Sequence, residues 1–253
     1  MDLGLDGAVV LVTGGVRGVG AGISRVFGAA GATVIACARH EPEQPLAGAE
    51  FYECDVRDYE QVHRMIAALV ERHGRLDVLV NNAGGAPRSD AATASPRLHA
   101  KIVELNLLAP FLVAQAANSV MQQQDGGGSI VMVSSVSGHR PSPGTAAYGA
   151  AKAGLDNLVT TLAFEWAPKV RVNSVVAGMV HTEQAHLHYG DEAAIAAVGA
   201  TVPLGRLAEP EEIGRCAAFL ASPLASYVSG ANLDVHGGGE APAFLAAARV
   251  DPD

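Results

Sequence analysis

Cysteine, clustered basic charge and long apolar runs are all scarce in this chain of 253 residues. The three cysteines, Cys37, Cys54 and Cys216, show no Cys-x2-Cys spacing, which argues against a disulfide framework and a zinc knuckle. Lysine and arginine total 17 against 26 acidic residues, a formal charge of −9 with no basic run. Nucleic acid and anionic lipid are therefore not expected as partners. No apolar stretch approaches the roughly 18 residues that span a bilayer. The opening MDLGLDGAVVLV has neither the basic region nor the cleavage site of a secretion signal. With 49% hydrophobic and 17% charged residues, the composition is that of a folded globule. The expectation is a soluble, cytoplasmic protein.

Short apolar runs alternate with helical patterns for most of the length. Ala8–Val12 is continuously apolar between Gly7 and Thr13-Gly14, as a strand covered on both faces requires. Strands are also expected at Thr33–Cys37, Phe51–Cys54, Leu76–Val80, Ile130–Val133, Val170–Val176 and Ala231–Val235. Between them lie helical spacings, including separate helices around Pro96–Leu105 and Phe111–Met121 and a long one over Ala146–Trp166. Strand and helix in alternation predict one α/β domain over residues 1–253, a doubly wound, seven-stranded parallel sheet of Rossmann type with helices on both faces. Residues 179–203 are read as an irregular flap, and 240–253 as a tail.

Three groups of residues carry chemistry. The turn Thr13-Gly14-Gly15-Val16-Arg17-Gly18-Val19-Gly20 joins the first strand to the first helix. Glycines there let the backbone turn sharply and approach a pyrophosphate seated on the helix N-terminus. Tyr148 and Lys152 are four residues apart on one helix and so share a face. An ammonium beside a phenol favours the phenolate and predicts a lowered Tyr148 pKa, suited to proton exchange near neutral pH. Asn81-Asn82-Ala83-Gly84, Asn106 and Ser134-Ser135 fall at or near strand ends, where open parallel sheets collect ligands.

The ordered set of Thr-Gly-x3-Gly-x-Gly, Asn-Asn-Ala-Gly, a central Asn, and Ser135 thirteen residues before Tyr148-x3-Lys152 resembles the short-chain dehydrogenase/reductase family. Asp55-Val56, Arg171-Val172-Asn173, Thr182 and Asp234-Val235-His236-Gly237-Gly238 extend the resemblance over residues 5 to about 239. It implies a hydride-transferring oxidoreductase acting on a carbonyl or secondary alcohol. Tyr148 would be the acid/base, with Lys152 lowering its pKa and binding the nicotinamide ribose. Ser135 would hold the substrate oxygen, and Asn106 a water relaying protons through Lys152. Gly14, Gly18, Val19 and Gly20 would take the pyrophosphate and Asp55 the adenine, with Val56 beside it. Asn82, Ala83 and Gly84 would line the cofactor, and Val180 and Thr182 would hold the carboxamide. Ala177-Gly178 stands where the family usually has Pro-Gly, which predicts a less rigid start to the flap.

Dinucleotide enzymes select NAD through an acidic residue at the end of the second strand. Here Ala38 and Arg39 occupy that place, and Arg17 precedes Gly18. Two guanidinium groups suit a 2′-phosphate, so NADP(H) is favoured, with NAD(H) the alternative. Pocket walls are expected from 85–96, 137–145 and 179–203, with His139 and Arg140 on the rim. No metal is expected at His181, His186 and His188, which are read as solvated or substrate-side groups. Two other functions remain open: a silent nucleotide-binding sensor or scaffold, and an enoyl-type reductase of a carbon–carbon double bond. The resemblance also implies a homotetramer or homodimer.

Overall fold

The first half of the chain forms β1 (Val9–Thr13), α1 (Gly18–Ala29), β2 (Thr33–Ala38), β3 (Ala49–Glu53), α2 (Tyr59–His73) and β4 (Val78–Asn81). The second half adds α3 (Pro96–Val103), α4 (Ala109–Met121), β5 (Gly128–Ser135), α5 (Ala146–Glu165) and β6 (Val170–Ala177). It closes with α6 (His186–Tyr189), α7 (Glu192–Gly199), α8 (Pro210–Ala221) and β7 (Asn232–Val235). This computed structural model describes residues 2–242, so the tail expected at 240–253 lies outside the described residues from 243 onward. All seven strands run parallel in one sheet, ordered β3-β2-β1-β4-β5-β6-β7.

Successive side chains of β1 enter opposite layers. Val9 and Leu11 pack with Met65 of α2, Val113 of α4 and Leu155 of α5. Val10 and Val12 pack with Ile23 and Phe27 of α1 and Ile213 of α8. A strand covered on both faces must be apolar at every position, which is why the run reads as continuous. Each fully buried aliphatic side chain contributes about 1.5–3 kcal/mol. The chain leaves β1 toward β2 and β3, then returns to β4 on the other side of β1. That reversal opens a crevice above the carboxyl ends of β1 and β4, the place where open sheets bind ligands.

Two regions differ from the sequence-based expectation. The helices expected near 96–105 and 111–121 are one continuous helix, α3 and α4 joined by a π-turn at Glu104–Leu108. At 26 residues, Pro96–Met121 is long and apolar enough to cross a membrane, but Val113, Ala114, Ala117 and Met121 are buried in the sheet layer, which makes it a core helix. The flap is also less irregular than expected, since it carries α6 and α7. Ala185, Ile195 and Leu207 bury a small cluster of their own there. Its root is fastened where Gly178 N donates to Val235 O at 3.0 Å, despite the missing proline.

Candidate active site

The turn after β1 is built for close backbone approach. Gly14 and Gly18 have φ of +62° and +52°, the left-handed region that glycine adopts without cost. A Cβ on Gly20 would lie 2.0 Å from Gly14 O and 2.5 Å from Asn82 Nδ2, so the turn closes only on glycine. Asn82 Nδ2 donates to Thr13 O and Gly14 O at 3.0 and 3.2 Å. Thr13 Oγ1 accepts from the N–H groups of Asn82 and Ala83, both at 3.0 Å. Asn82 and Ala83 therefore tie the end of β4 to the glycine turn. No side chain caps α1 from within its own turn. Instead Gly18 N donates to Glu183 Oε1 of the flap at 2.9 Å, a carboxylate where a helix N-terminus attracts anions. Thr182 stands beside Gly18, Val19 packs against α8's layer, and Val180 bridges to Ala208.

Toward the outer strands, Arg57 holds the Asp55 carboxylate through Nε, Nη2 and its backbone N at 2.9, 2.5 and 3.0 Å. This guanidinium, helped by Arg39, keeps the Asp55 pKa below the ordinary carboxylate value. Val56 is buried in the core beside α2. Arg17 and Arg39 are exposed; Arg17 lines a cavity, and Arg39 acts on Asp55. That cavity, of about 610 Å³, runs from Val16, Arg17 and Gly18 to Thr182 and Glu183 and on to the start of α8.

Tyr148 and Lys152 come together on one face of α5, with Nζ 5.6 Å from the phenol ring centroid. Lys152 is only 4% exposed and donates to Val133 O of β5 at 2.7 Å. Burial lowers its pKa from 10.5 to about 8, and Asp156 opposes that shift. Ser135 ends β5, and its Oγ accepts from Ser137 N at 3.2 Å. Asn106 is fully buried in the π-turn. Its Oδ1 accepts from Gly85 N at 2.8 Å, and its Nδ2 donates to Gly85 O and Ile102 O, both at 2.9 Å. An ideal Cβ on Gly84 would sit 2.8 Å from Asn106 Oδ1 and 3.6 Å from Lys152 Nζ. Gly84, Asn106 and Lys152 thus converge on one point.

Two expectations need correction. The phenol of Tyr148 is not lowered: burial pushes its pKa up, Tyr189 adds to the rise, and the Ser135 hydroxyl opposes it. Desolvation is the largest cause of the rise, and the Lys152 ammonium is committed to Val133 O. His139 is also more than a rim residue, since its Nε2 lies 2.9 Å from the buried Asp156 Oδ2. The flap histidines go to separate partners: His181 Nδ1 is 3.9 Å from Glu209 Oε1, and His186 Nδ1 is 3.0 Å from Glu183 O. His188 lies against the Tyr189 ring. Among the described residues no three His, Cys, Asp or Glu side chains form a metal-holding group. Tyr189 falls within the expected pocket wall, whereas sequence reasoning missed Glu183 as a partner of Gly18, Asp156, and the Arg140–Glu240 ion pair. Of these, only Asp156 had a signal, as the next step of the Tyr148–Lys152 stripe.

A doubly wound sheet, a glycine turn open to an anion, and a tyrosine–lysine pair at the strand ends define a dinucleotide-dependent oxidoreductase. The family model described as enoyl-(acyl carrier protein) reductase matches residues 14–240. L-fucose dehydrogenase of Oryctolagus cuniculus is 37% identical, over 92% of this chain and 85% of its own. The 3alpha-hydroxysteroid dehydrogenase of Mediterraneibacter gnavus is 35% identical, over 94% and 98%. Ligand-free aldohexose dehydrogenase of Thermoplasma acidophilum superposes with a TM-score of 0.88 at 30% identity, covering 98% of both chains. The chain belongs to the short-chain dehydrogenase/reductase family, and it is an NAD(P)-dependent enzyme acting on CH–OH or C=O groups.

Proposed function

We propose that this enzyme transfers hydride between NADP(H) and a small-molecule carbonyl or secondary alcohol, with Tyr148 as the acid/base. The observation that carries the proposal is the Tyr148–Lys152 pair on one face of α5, beside Ser135 at the tip of β5. The glycine turn fits the dinucleotide: Gly18 N already holds a carboxylate, and only glycine clears the backbone at position 20. Gly14, Gly18, Val19 and Gly20 would cradle the pyrophosphate, Asp55 and Val56 the adenine end, and Gly84, Val180 and Thr182 the nicotinamide end. Arg17 and Arg39, both exposed, suit a 2′-phosphate.

When bound, the nicotinamide supplies or takes the hydride. Ser135 donates a hydrogen bond to the substrate oxygen and orients it. Tyr148, held protonated by burial, gives its proton to that oxygen in reduction and takes one back in oxidation. Lys152 binds the ribose hydroxyls and refills the phenol. Asn106, buried beside Gly84 and Lys152, would hold a water that relays protons through Lys152.

A panel of alcohols and carbonyls followed by nicotinamide absorbance, run with NADPH and NADH, tests the assignment. Tyr148→Phe should cost about 10²–10⁴ in kcat, and a fully active Tyr148→Phe would sink it. The description of the matching family model favours one second reading, reduction of a carbon–carbon double bond; product analysis with deuterated cofactor separates the two. We also propose a homotetramer or homodimer, supported by the 88% exposure of Phe164 on α5. A monomeric mass in light scattering overturns that.

A further inference from the structure

Tyr148, Lys152 and Asp156 follow one another at four-residue steps along the sheet-facing side of α5. Lys152 and Asp156 are both buried, at 4% and 6% exposure. Asp156 is not part of the proton chemistry described above, and a buried carboxylate without a purpose is costly. Its Oδ2 accepts from His139 Nε2 at 2.9 Å, and its Oδ1 faces Ser174 Oγ at 3.3 Å. Ser174 has one hydroxyl proton and stands closer to Asn232 Oδ1, at 2.6 Å. His139 is therefore the main donor to Asp156. The far ring nitrogen of His139 is 3.6 Å from Asp234 Oδ1 of β7, and His236 Nε2 is 3.9 Å from the same carboxylate's Oδ2.

We propose that Asp156 is a positioning residue for Lys152: fixed by His139, its carboxylate keeps the lysine an ammonium inside a cleft that would otherwise strip its proton. The inference rests on the role given to Lys152 above, where a neutral amine could neither hold ribose oxygens as strongly nor refill the phenol. Among the described residues no other charge takes this part. Glu104 of the π-turn acts on Arg57, Lys101 of α3 is exposed, and β5 meets the Lys152 ammonium at Val133 O, while the Ser134 hydroxyl faces the backbone carbonyl of Lys152. Asp234 and His236 stand behind His139 rather than against Lys152. Tyr148 is neutral at the pH of interest, so Asp156 is the countercharge.

The lysines of the chain are Lys101, Lys152 and Lys169, so lysine labelled with carbon-13 at Cε gives three signals. Lys101→Arg and Lys169→Arg assign them. In cofactor-free wild type the Lys152 signal should titrate near 8. A charge about 6 Å away at an effective dielectric of about 20 moves its partner by up to about two pH units. Asp156→Asn should therefore lower the Lys152 midpoint by about one unit or more. Asp156→Ser, smaller and still able to accept from His139, should do the same and serves if the Asn variant does not fold. In turnover, the alkaline limb of the rate profile should move down equally, costing about tenfold one unit above the wild-type limb and little well below it. A Lys152 midpoint unmoved within about 0.2 unit in both variants, or a rate loss that is the same at every pH, overturns the proposal. The titration needs neither cofactor nor substrate. A fully active Tyr148→Phe defeats the proposed chemistry while the titration still reports on Asp156.

Discussion

Replacing Lys152 by methionine should make the protein more stable while it silences the site. The side chain is 4% exposed, and burial takes its pKa from 10.5 to about 8. A depression of that size means that carrying the charge in the folded state costs about 3 kcal/mol at pH 7. Methionine matches the length and removes the charge. The substitution also leaves Val133 O without its donor at 2.7 Å and Asp156 without its cationic neighbour, which returns about 1–2 kcal/mol. The net gain at pH 7 is about 1–2 kcal/mol, or roughly 2–8 °C in Tm for a chain of this size. The pH dependence has a fixed sign. The unfolded lysine keeps its proton up to about 10.5, whereas the folded one releases it from about 8. Wild type therefore gains stability as pH rises through that window, by at most about 1.4 kcal/mol per unit. The advantage of Lys152→Met should shrink from pH 7 to pH 9.5 and then reverse. Urea unfolding at both values measures it. A variant less stable than wild type at pH 7, or a gap equal at both pH values, refutes the reasoning.

Other perturbations have equally definite outcomes. Glu183→Gln removes the carboxylate competing for Gly18 N; a helix-end interaction of about 0.3–1 kcal/mol translates into NADPH binding about two- to fivefold tighter by fluorescence titration, and weaker binding would contradict it. Gly20→Ala drives a Cβ toward Gly14 O and should cost about 1–3 kcal/mol together with most cofactor affinity; an unchanged Tm would be incompatible with that clash. Arg39→Asp should raise the KM for NADPH at least about tenfold while barely moving that for NADH, and equal effects on both would remove the 2′-phosphate assignment.

Most of the architecture was legible because it is a matter of two-sided burial. β1 and β2 announce themselves as apolar runs, and the parallel order follows from strand and helix alternating. Where polar residues enter the sheet the reading fell short. β5 extends to Ser134 and Ser135 at one end and Gly128 and Ser129 at the other, where Ser129 and Ser134 are buried facing backbone carbonyls of Leu220 and Lys152. The π-turn escaped because a single inserted residue leaves hydrophobic spacing on either side intact. Proximity of Tyr148 and Lys152 follows from helical periodicity alone, but the direction of the phenol's shift depends on desolvation, which no spacing encodes. Glu183 meets Gly18 across 165 positions, and nothing local in the sequence announces such a partnership.

The extra residue at Glu104–Leu108 also sets the rotational phase of everything after it. An α-helix turns about 100° per residue, so deleting one position there would swing Val113, Ala117 and Met121 out of the sheet layer they fill. The same deletion would withdraw Asn106 from Gly85. Loop trimming for a sturdier catalyst has no room at this turn: the reaction centre and the hydrophobic interior are a single specification, and neither can be edited without rewriting the other.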